Sequence, residues 1–191
     1  MKKYITTVWV FAAILTYGFS VGISKADAQI FSRPPLELSQ ILTENKTPEA
    51  IARYMWRNFA YETDQQQFGE AEYWQSTDEF LKNGRGDCED FALFASEMLN
   101  KQGIKALVLN IYGSRFAHTI CVFEENGTYH AIDGTDIKRV GAKDLPALIS
   151  EIYPQWNKGA IVTRAKDSQK GRILKKFEKH AKAARAFASS L

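Results

Sequence analysis

Residues 84–92 decide the fold, and they read Gly84-Arg85-Gly86-Asp87-Cys88-Glu89-Asp90-Phe91-Ala92. Gly84 and Gly86 allow the backbone to turn sharply, and the acidic residues that follow are typical of a helix N-terminus. An apolar stripe with helical spacing comes next, and Gly103 suits the left-handed residue that ends a helix. We therefore predict a helix from about Asp87 to Lys101, with Cys88 in its first turn.

Further helices are predicted upstream of this stretch. Thr47-Pro48-Glu49 offers an N-cap hydroxyl, a proline at the first helical position and an acid in the first turn. Ser76-Thr77-Asp78-Glu79 matches the S-x-x-E capping box, and Asn83-Gly84 should end the short helix that it begins. Residues 29–46 contain Pro34-Pro35 and are predicted to be extended.

Downstream of Gly103 the apolar pattern changes to period two, which is typical of strands. The predicted elements are strands at Ala106–Tyr112, Ala117–Glu124 and Thr128–Asp133, a helix at Lys143–Tyr153 and a short strand at Ala160–Thr163. Asn126-Gly127 is a strong turn signal for a hairpin between the second and third strands. Helices followed by an antiparallel meander indicate the α+β class.

The N-terminus has the pattern of an export signal. Lys2 and Lys3 precede a mostly apolar stretch from Ile5 to Ile23, and Ala26-Asp27-Ala28 forms a small-x-small cleavage site. We predict a signal peptide at residues 1–28 and a periplasmic or secreted mature protein. The alternative is an uncleaved N-terminal anchor, because the apolar stretch approaches the length of a membrane span.

Charge is distributed unevenly along the predicted mature chain. Residues 29–163, the predicted domain, carry 13 basic side chains against 19 acidic ones, whereas residues 164–191 carry nine against two. An acidic body argues against nucleic-acid binding, which needs a basic face on the fold itself. The tail is predicted to be a basic amphipathic helix. It would dock on the domain, contact an anionic membrane surface, or bind an acidic partner.

Cys88 is the first candidate for chemistry. A helix N-terminus stabilises a thiolate, whereas the neighbouring Asp87, Glu89 and Asp90 disfavour it, so another positive group is required. A histidine oriented by a third group is the usual partner of an activated thiol. The alternative role for Cys88 is a disulfide with Cys121, the other cysteine of this exported chain.

Strand parity selects the partners of the thiol. Asp133 ends its strand on the face opposite to that of His130, so it would meet His118 across the hairpin. Cys121 lies three residues beyond His118 and therefore on the other face, where a small buried side chain is expected. The predicted catalytic residues are Cys88, His118 and Asp133, with no cofactor required for the chemistry.

The segments Tyr73-Trp74-Gln75-Ser76 and Gly86-Asp87-Cys88-Glu89-Asp90-Phe91-Ala92 resemble the signature of bacterial transglutaminase-like cysteine proteinases. The resemblance runs from about residue 47 to residue 135. It implies a papain-like, transglutaminase-like fold and a periplasmic enzyme, with the family nucleophile at Cys88, its histidine at His118 and its aspartate at Asp133.

The same resemblance implies a metal site. Asp87 and Glu89 correspond to carboxylates that help to bind Ca²⁺, although both would also simply favour a helix N-terminus. Apart from the resemblance, Trp74 is a candidate to line the cleft or donate to an oxyanion, with core packing as the alternative.

The leading functional hypothesis is a cysteine protease that cleaves a cell-envelope or surface protein through an acyl-enzyme. A transglutaminase would form the same acyl-enzyme and transfer it to an amine instead of water. A non-catalytic binding protein on the same fold is the third hypothesis, and the complete Cys, His and Asp set argues against it.

Overall fold

The computed structural model describes residues 38–166 and 168–179. The helices there are α1 (Leu38–Glu44), α2 (Pro48–Asn58), α3 (Asp64–Gln67), α4 (Thr77–Asn83), α5 (Cys88–Lys101) and α6 (Leu145–Ile152). The strands are β1 (Ala60–Tyr61), β2 (Arg85–Gly86), β3 (Ala106–Gly113), β4 (Ala117–Glu125), β5 (Thr128–Asp133), β6 (Asp136–Ala142), β7 (Trp156–Arg164) and β8 (Gly171–Glu178). No helix in this part of the chain is long and apolar enough to cross a membrane.

One antiparallel sheet of six strands, in the order β6-β5-β4-β3-β7-β8, forms the centre of the fold. Strands β1 and β2 form a separate parallel pair that precedes α5. Helix α5 packs across β3 and β4 on one face of the large sheet, and α6 packs on the opposite face. Helices on an antiparallel sheet confirm the predicted α+β class.

The helix starts follow the predicted capping patterns. The Thr47 hydroxyl accepts a hydrogen bond from the backbone N–H of Ala50 at 3.2 Å. Ser76 and Glu79 form the reciprocal capping box, with the Glu79 carboxylate accepting from the Ser76 N–H at 2.7 Å. Gly84 ends α4 with φ of 67°, a left-handed conformation that favours glycine.

The β4–β5 hairpin also forms as predicted. Asn126 and Gly127 both have positive φ values, 52° and 75°, as a tight two-residue hairpin turn requires. The register pairs Cys121 with Ile132 on the face that α5 covers. The alternate residues of both strands, including Ala131, face α6.

The predicted helix in the basic tail is wrong for residues 171–178, which form β8 and pair with β7 along its length. Val162 pairs with Ile173 and Ile161 pairs with Lys175, so Leu174 is an extra residue in a β-bulge. The bulge interrupts the two-residue alternation and leaves apolar residues at a helix-like spacing. Residues 180–191, like the predicted signal peptide, lie outside the described residues.

Two smaller differences concern elements that the sequence pattern does not indicate. Helix α1 lies within the segment predicted to be extended. It packs on the domain through Ile41, which is buried in the core. Strand β6 follows Gly134, whose φ of 59° allows the chain to reverse immediately after β5.

Strand β8 contributes to the core through Phe177, and this contact gives a test of the strand assignment. The Phe177 ring lies over Gly159, where a Cβ would approach the ring to 2.5 Å, and it packs edge-on against Trp156 at 6.0 Å. Because Phe177 is half-buried, Phe177→Ala should lower the free energy of unfolding by about 2 kcal/mol in chemical denaturation. Leu174→Ala on the same strand should cost less than about 0.5 kcal/mol, because Leu174 is 57% exposed. Equal small effects of the two substitutions would contradict the packing of β8 on the domain.

Candidate active site

Cys88 is the first residue of α5, and the residues before it are held tightly. Gly86 pairs with Tyr61 in the β1–β2 ladder. A Cβ on Gly86 would lie 2.2 Å from Oδ2 of Asp90 and 2.7 Å from Nε2 of Gln75, so only glycine fits. Asp90 in turn accepts hydrogen bonds from the backbone N–H and the side-chain amide of Gln75, at 2.9 and 2.6 Å. This buried contact fixes the start of α5 and with it the cysteine.

The Cys88 thiol lies in an acidic environment. Its Sγ–H donates to Oε2 of Glu89 at 3.2 Å. Burial, together with the negative charges of Glu89 and Asp87, raises the pKa of Cys88 to about 12, and the Thr119 hydroxyl acts weakly in the opposite direction. Carboxylates alone would therefore keep the thiol protonated at neutral pH, and a reactive thiolate needs a positive group beside it.

His118 and Asp133 meet as strand parity predicts. His118 Nε2 and Asp133 Oδ1 are 2.7 Å apart, and both side chains belong to the face of the sheet that α6 covers. Burial raises the pKa of Asp133, but hydrogen bonds from His118 and Tyr153 outweigh it and hold the pKa below its ordinary value. Asp133 is thus an ionised carboxylate that orients the imidazole through Nε2, which leaves Nδ1 as the nitrogen for a reaction partner.

Tyr153 is a third member of this group that sequence reasoning missed. Its hydroxyl donates to Oδ2 of Asp133 at 2.5 Å, and its ring lies edge-on to the His118 ring at 5.7 Å. Burial and the Asp133 carboxylate raise the pKa of Tyr153 above its ordinary value, so it remains a neutral donor. Tyr153 caps the C-terminus of α6, and nothing in its local sequence distinguishes it from a core tyrosine.

The thiol and the imidazole lie at the same end of β4. A hydrogen bond from Thr119, the residue after His118, acts to lower the pKa of the Cys88 thiol, and α5 packs on β4. Within the described residues no hydrogen bond joins Cys88 to His118, because the thiol donates to Glu89 instead. Catalytic hydrogen bonds are often long or poorly aligned until substrate binds, so this geometry is compatible with a Cys–His pair.

The remaining residues considered for this site lie elsewhere. His130 accepts from the Gly141 N–H through Nδ1 at 3.2 Å and packs against Phe123, away from Asp133. Cys121 is fully buried beneath α5, and both cysteines are free thiols, which contradicts the disulfide alternative.

Trp74 is buried, at 4% exposure, and makes contacts that a core residue would make. Its indole N–H donates to Oε2 of Glu72 at 3.1 Å, and its ring occupies the space above Gly171. The core-packing alternative accounts for both contacts. The predicted oxyanion role would need the indole N–H to point at the substrate, whereas here it is engaged by Glu72.

A group of carboxylates beside Cys88 extends the predicted pair of Asp87 and Glu89. Ligand oxygens of Asp64, Glu72 and Glu89 lie within 4.8 Å of one another, and so do those of Asp64, Asp87 and Asp90. Oδ1 of Asp64 and Oδ1 of Asp87 are buried without a hydrogen-bond partner among the described residues, as is Oε1 of Gln67 in α3. Asp64 and Glu72 have no sequence signal, because they come from the start of α3 and the loop after it, both distant in sequence from the Asp-Cys-Glu motif.

The negative charges of these buried carboxylates destabilise one another, and a positive charge among them would stabilise their ionised forms. Burial raises the pKa of Glu89 to about 9, with a further contribution from Asp87, and it raises the pKa of Asp64 to about 6. Buried oxygens without donors and carboxyls with raised pKa values are what a hard divalent cation would stabilise. The donor set therefore fits Ca²⁺, whereas Asp90 is already engaged by Gln75.

Comparisons with solved structures identify similar chains from Legionella pneumophila. Its LapG in a calcium-bound form is 21% identical, with 61% of this chain and 67% of that chain covered and a TM-score of 0.47. The EGTA-treated form of LapG is 19% identical, with 78% of this chain and 82% of that chain covered and the same TM-score. The comparison with curated proteins finds no match.

A family model described as a transglutaminase-like domain matches residues 36–137. The matched region runs from the residues just before α1 into β6 and contains Cys88, His118 and Asp133. Since the match covers more than half of the chain and the observed fold is the α+β arrangement expected from it, this chain belongs to the transglutaminase-like domain family.

Proposed function

We propose that the protein is an exported cysteine protease that uses Cys88 as its nucleophile and His118 as its general base and acid. The observations that carry the proposal are the hydrogen-bonded His118–Asp133 pair at the start of β4 and a cysteine at the N-terminus of α5, the helix that packs on β4. An oriented imidazole next to a thiol is the arrangement that nucleophilic catalysis requires. Asp133 is a positioning residue that stabilises the imidazolium.

The reaction proceeds through an acyl-enzyme. His118 takes the proton of the Cys88 thiol, and the thiolate attacks the carbonyl carbon of a peptide bond. The backbone N–H of Cys88 is an oxyanion donor for the tetrahedral intermediate. The imidazolium then gives its proton to the leaving amine as the C–N bond breaks. A water molecule, deprotonated by His118, hydrolyses the thioester and regenerates the thiol.

Residues 1–28, the predicted signal peptide, make an envelope or cell-surface protein the natural substrate class. The proposal is tested in the parent cell by mass spectrometry of new protein N-termini, comparing the wild type with a Cys88→Ala strain. Envelope proteins should be shortened only where Cys88 is intact. A transglutaminase would instead leave amine cross-links that depend on Cys88, and no Cys88-dependent change of either kind would favour a binding protein.

Calcium is the cation that the carboxylates beside Cys88 are proposed to hold. Asp64, Asp87 and Glu89, with Glu72, offer several of the oxygen ligands that Ca²⁺ prefers. When bound, the ion supplies a positive charge that offsets the effect of these carboxylates on the thiol. The chain's own residues carry out the proton transfers.

The two cysteines and two of the histidines form matched pairs for testing the catalytic assignment. Cys88→Ala and His118→Ala should each abolish peptidase activity, whereas Cys121→Ala and His130→Ala should retain it. Iodoacetamide at neutral pH should label Cys88 much faster than Cys121, whose pKa is raised by complete burial. Equal labelling rates, or inactivation by His130→Ala with His118→Ala active, would contradict the assignment.

Tyr153→Phe tests the positioning of Asp133. The substitution removes a donor to an ionised carboxylate, so the pKa of Asp133 should rise and the acid limb of the activity profile should move to higher pH. We expect kcat to fall about tenfold with little change in KM, because a hydrogen bond to a charged group contributes about 1.5 kcal/mol or more. Tyr129→Phe is the control, since Tyr129 shares the strand face of Asp133. An unchanged pH profile would leave Tyr153 a packing residue.

Chelation tests the cation site through stability as well as activity. EGTA should lower the melting temperature, because removal of the ion leaves buried carboxylates facing one another. The double variant Asp87→Asn with Glu89→Gln should melt at the same temperature with and without EGTA. Glu151→Gln, an exposed acid on α6, is the control and should keep the calcium response. Calorimetry that detects no heat of Ca²⁺ binding at millimolar concentration would leave the carboxylates as helix-capping groups only.

A further inference from the structure

Strand β8 is an open edge of the large sheet. It pairs with β7 on one side, and no other strand among the described residues pairs with its outer side. Residues 171–176 are all exposed. The outward backbone N–H and C=O groups of an edge strand are a template for pairing with another extended chain.

Two aliphatic side chains project from this edge beside a groove. Ile173 and Leu174 are 45% and 57% exposed, and both are large apolar residues. Leu174, the residue added by the β-bulge, lines a groove of about 690 Å³ between β8 and α5. The groove is also lined by Leu93 of α5 and by Val108 and Val162 of the sheet. It is concave, partly apolar and wide enough for a side chain from outside.

The same edge is strongly basic. Five cations lie within ten residues, and they are Lys170, Arg172, Lys175, Lys176 and Lys179. The ion pairs among the described residues include none of these five. Glu178 is the single acid of β8, and it pairs with Lys158 on β7. The charge of the edge therefore suits an acidic partner.

We propose that β8 and the adjoining groove bind an extended acidic segment of a partner protein. The segment pairs with β8 as a seventh strand of the sheet. Its carboxylates meet Arg172, Lys175 and Lys176, and one apolar side chain enters the groove beside Leu174. This binding goes beyond the proposed protease activity and does not require the thiol.

Two other occupants fit the edge less well. In a pair of β8 strands from two copies of the chain, Lys175 and Lys176 would face like charges, which disfavours self-association. A lipid bilayer would attract the cations, but its hydrocarbon offers no hydrogen-bond partners to the outward backbone groups of the strand, and a flat bilayer does not fill a concave groove. A peptide strand satisfies the backbone, the charges and the groove together.

The test uses two synthetic peptides of equal length, one alternating Val with Glu and the other alternating Val with Lys. The protein carries Cys88→Ala so that no peptide is cleaved, and NMR follows its backbone amides during titration. The acidic peptide should bind in a salt-dependent manner and slow the hydrogen exchange of the outward amides of β8. The basic peptide should not bind.

Charge-reversal variants provide the matched control. Lys175→Glu with Lys176→Glu should weaken binding of the acidic peptide about tenfold or more, through loss of complementary charge. Lys82→Glu with Lys143→Glu makes the same change of net charge at exposed sites elsewhere and should leave binding unchanged. Equal weakening by both pairs, binding of both peptides, or binding without protection of β8 amides would overturn the proposal. So would binding of anionic phosphatidylglycerol vesicles with no binding of the acidic peptide.

Discussion

The burial of carboxylates around the N-terminus of α5 is the constraint on which the rest of the site depends. The helix N-terminus favours a thiolate at Cys88, whereas Glu89 opposes it from hydrogen-bonding distance and Asp87 opposes it through its negative charge. Where water is excluded, like charges repel strongly and no solvent relieves them. The arrangement is therefore consistent with a nucleophile only if positive charge is supplied nearby, by an imidazolium on one side and a cation among the carboxylates on the other.

The two layers of the fold carry the two halves of the proposed site. Helix α5, on one face of the sheet, carries Cys88, while the opposite face carries His118 and Asp133 beneath α6. Tyr153, at the end of α6, joins the second layer to the pair through Asp133. Neither layer contains a complete site. The positions of the reacting groups therefore depend on the packing of both helices against one sheet.

Local signals in the sequence predict much of this arrangement. Helix caps at Thr47 and Ser76 and the turn at Asn126-Gly127 depend on residues close in the chain, and they form as expected. Strand parity predicts that His118 and Asp133 share a face of the sheet, and the register set by the hairpin turn brings them together there.

The contacts of Tyr153 and Asp64 could not be predicted in this way, because they join segments far apart in sequence that no periodicity relates. Strand β8 was predicted to be a helix for a different reason. A single bulged residue, Leu174, disturbs the alternation by which strands are recognised.

The tight β4–β5 hairpin has a consequence for how the chain tolerates changes of length. His118 and Asp133 lie on the two strands that this turn joins, and side chains alternate between the faces of each strand. Inserting or deleting one residue at Asn126-Gly127 would therefore rotate Asp133 to the α5 face, away from the imidazole, even if the sheet survived. Changes of length before β4, around Ser114, leave the relative orientation of the pair untouched. A single-residue change of length at this surface turn would thus separate the His118–Asp133 pair, although the turn lies at the far end of the hairpin from it.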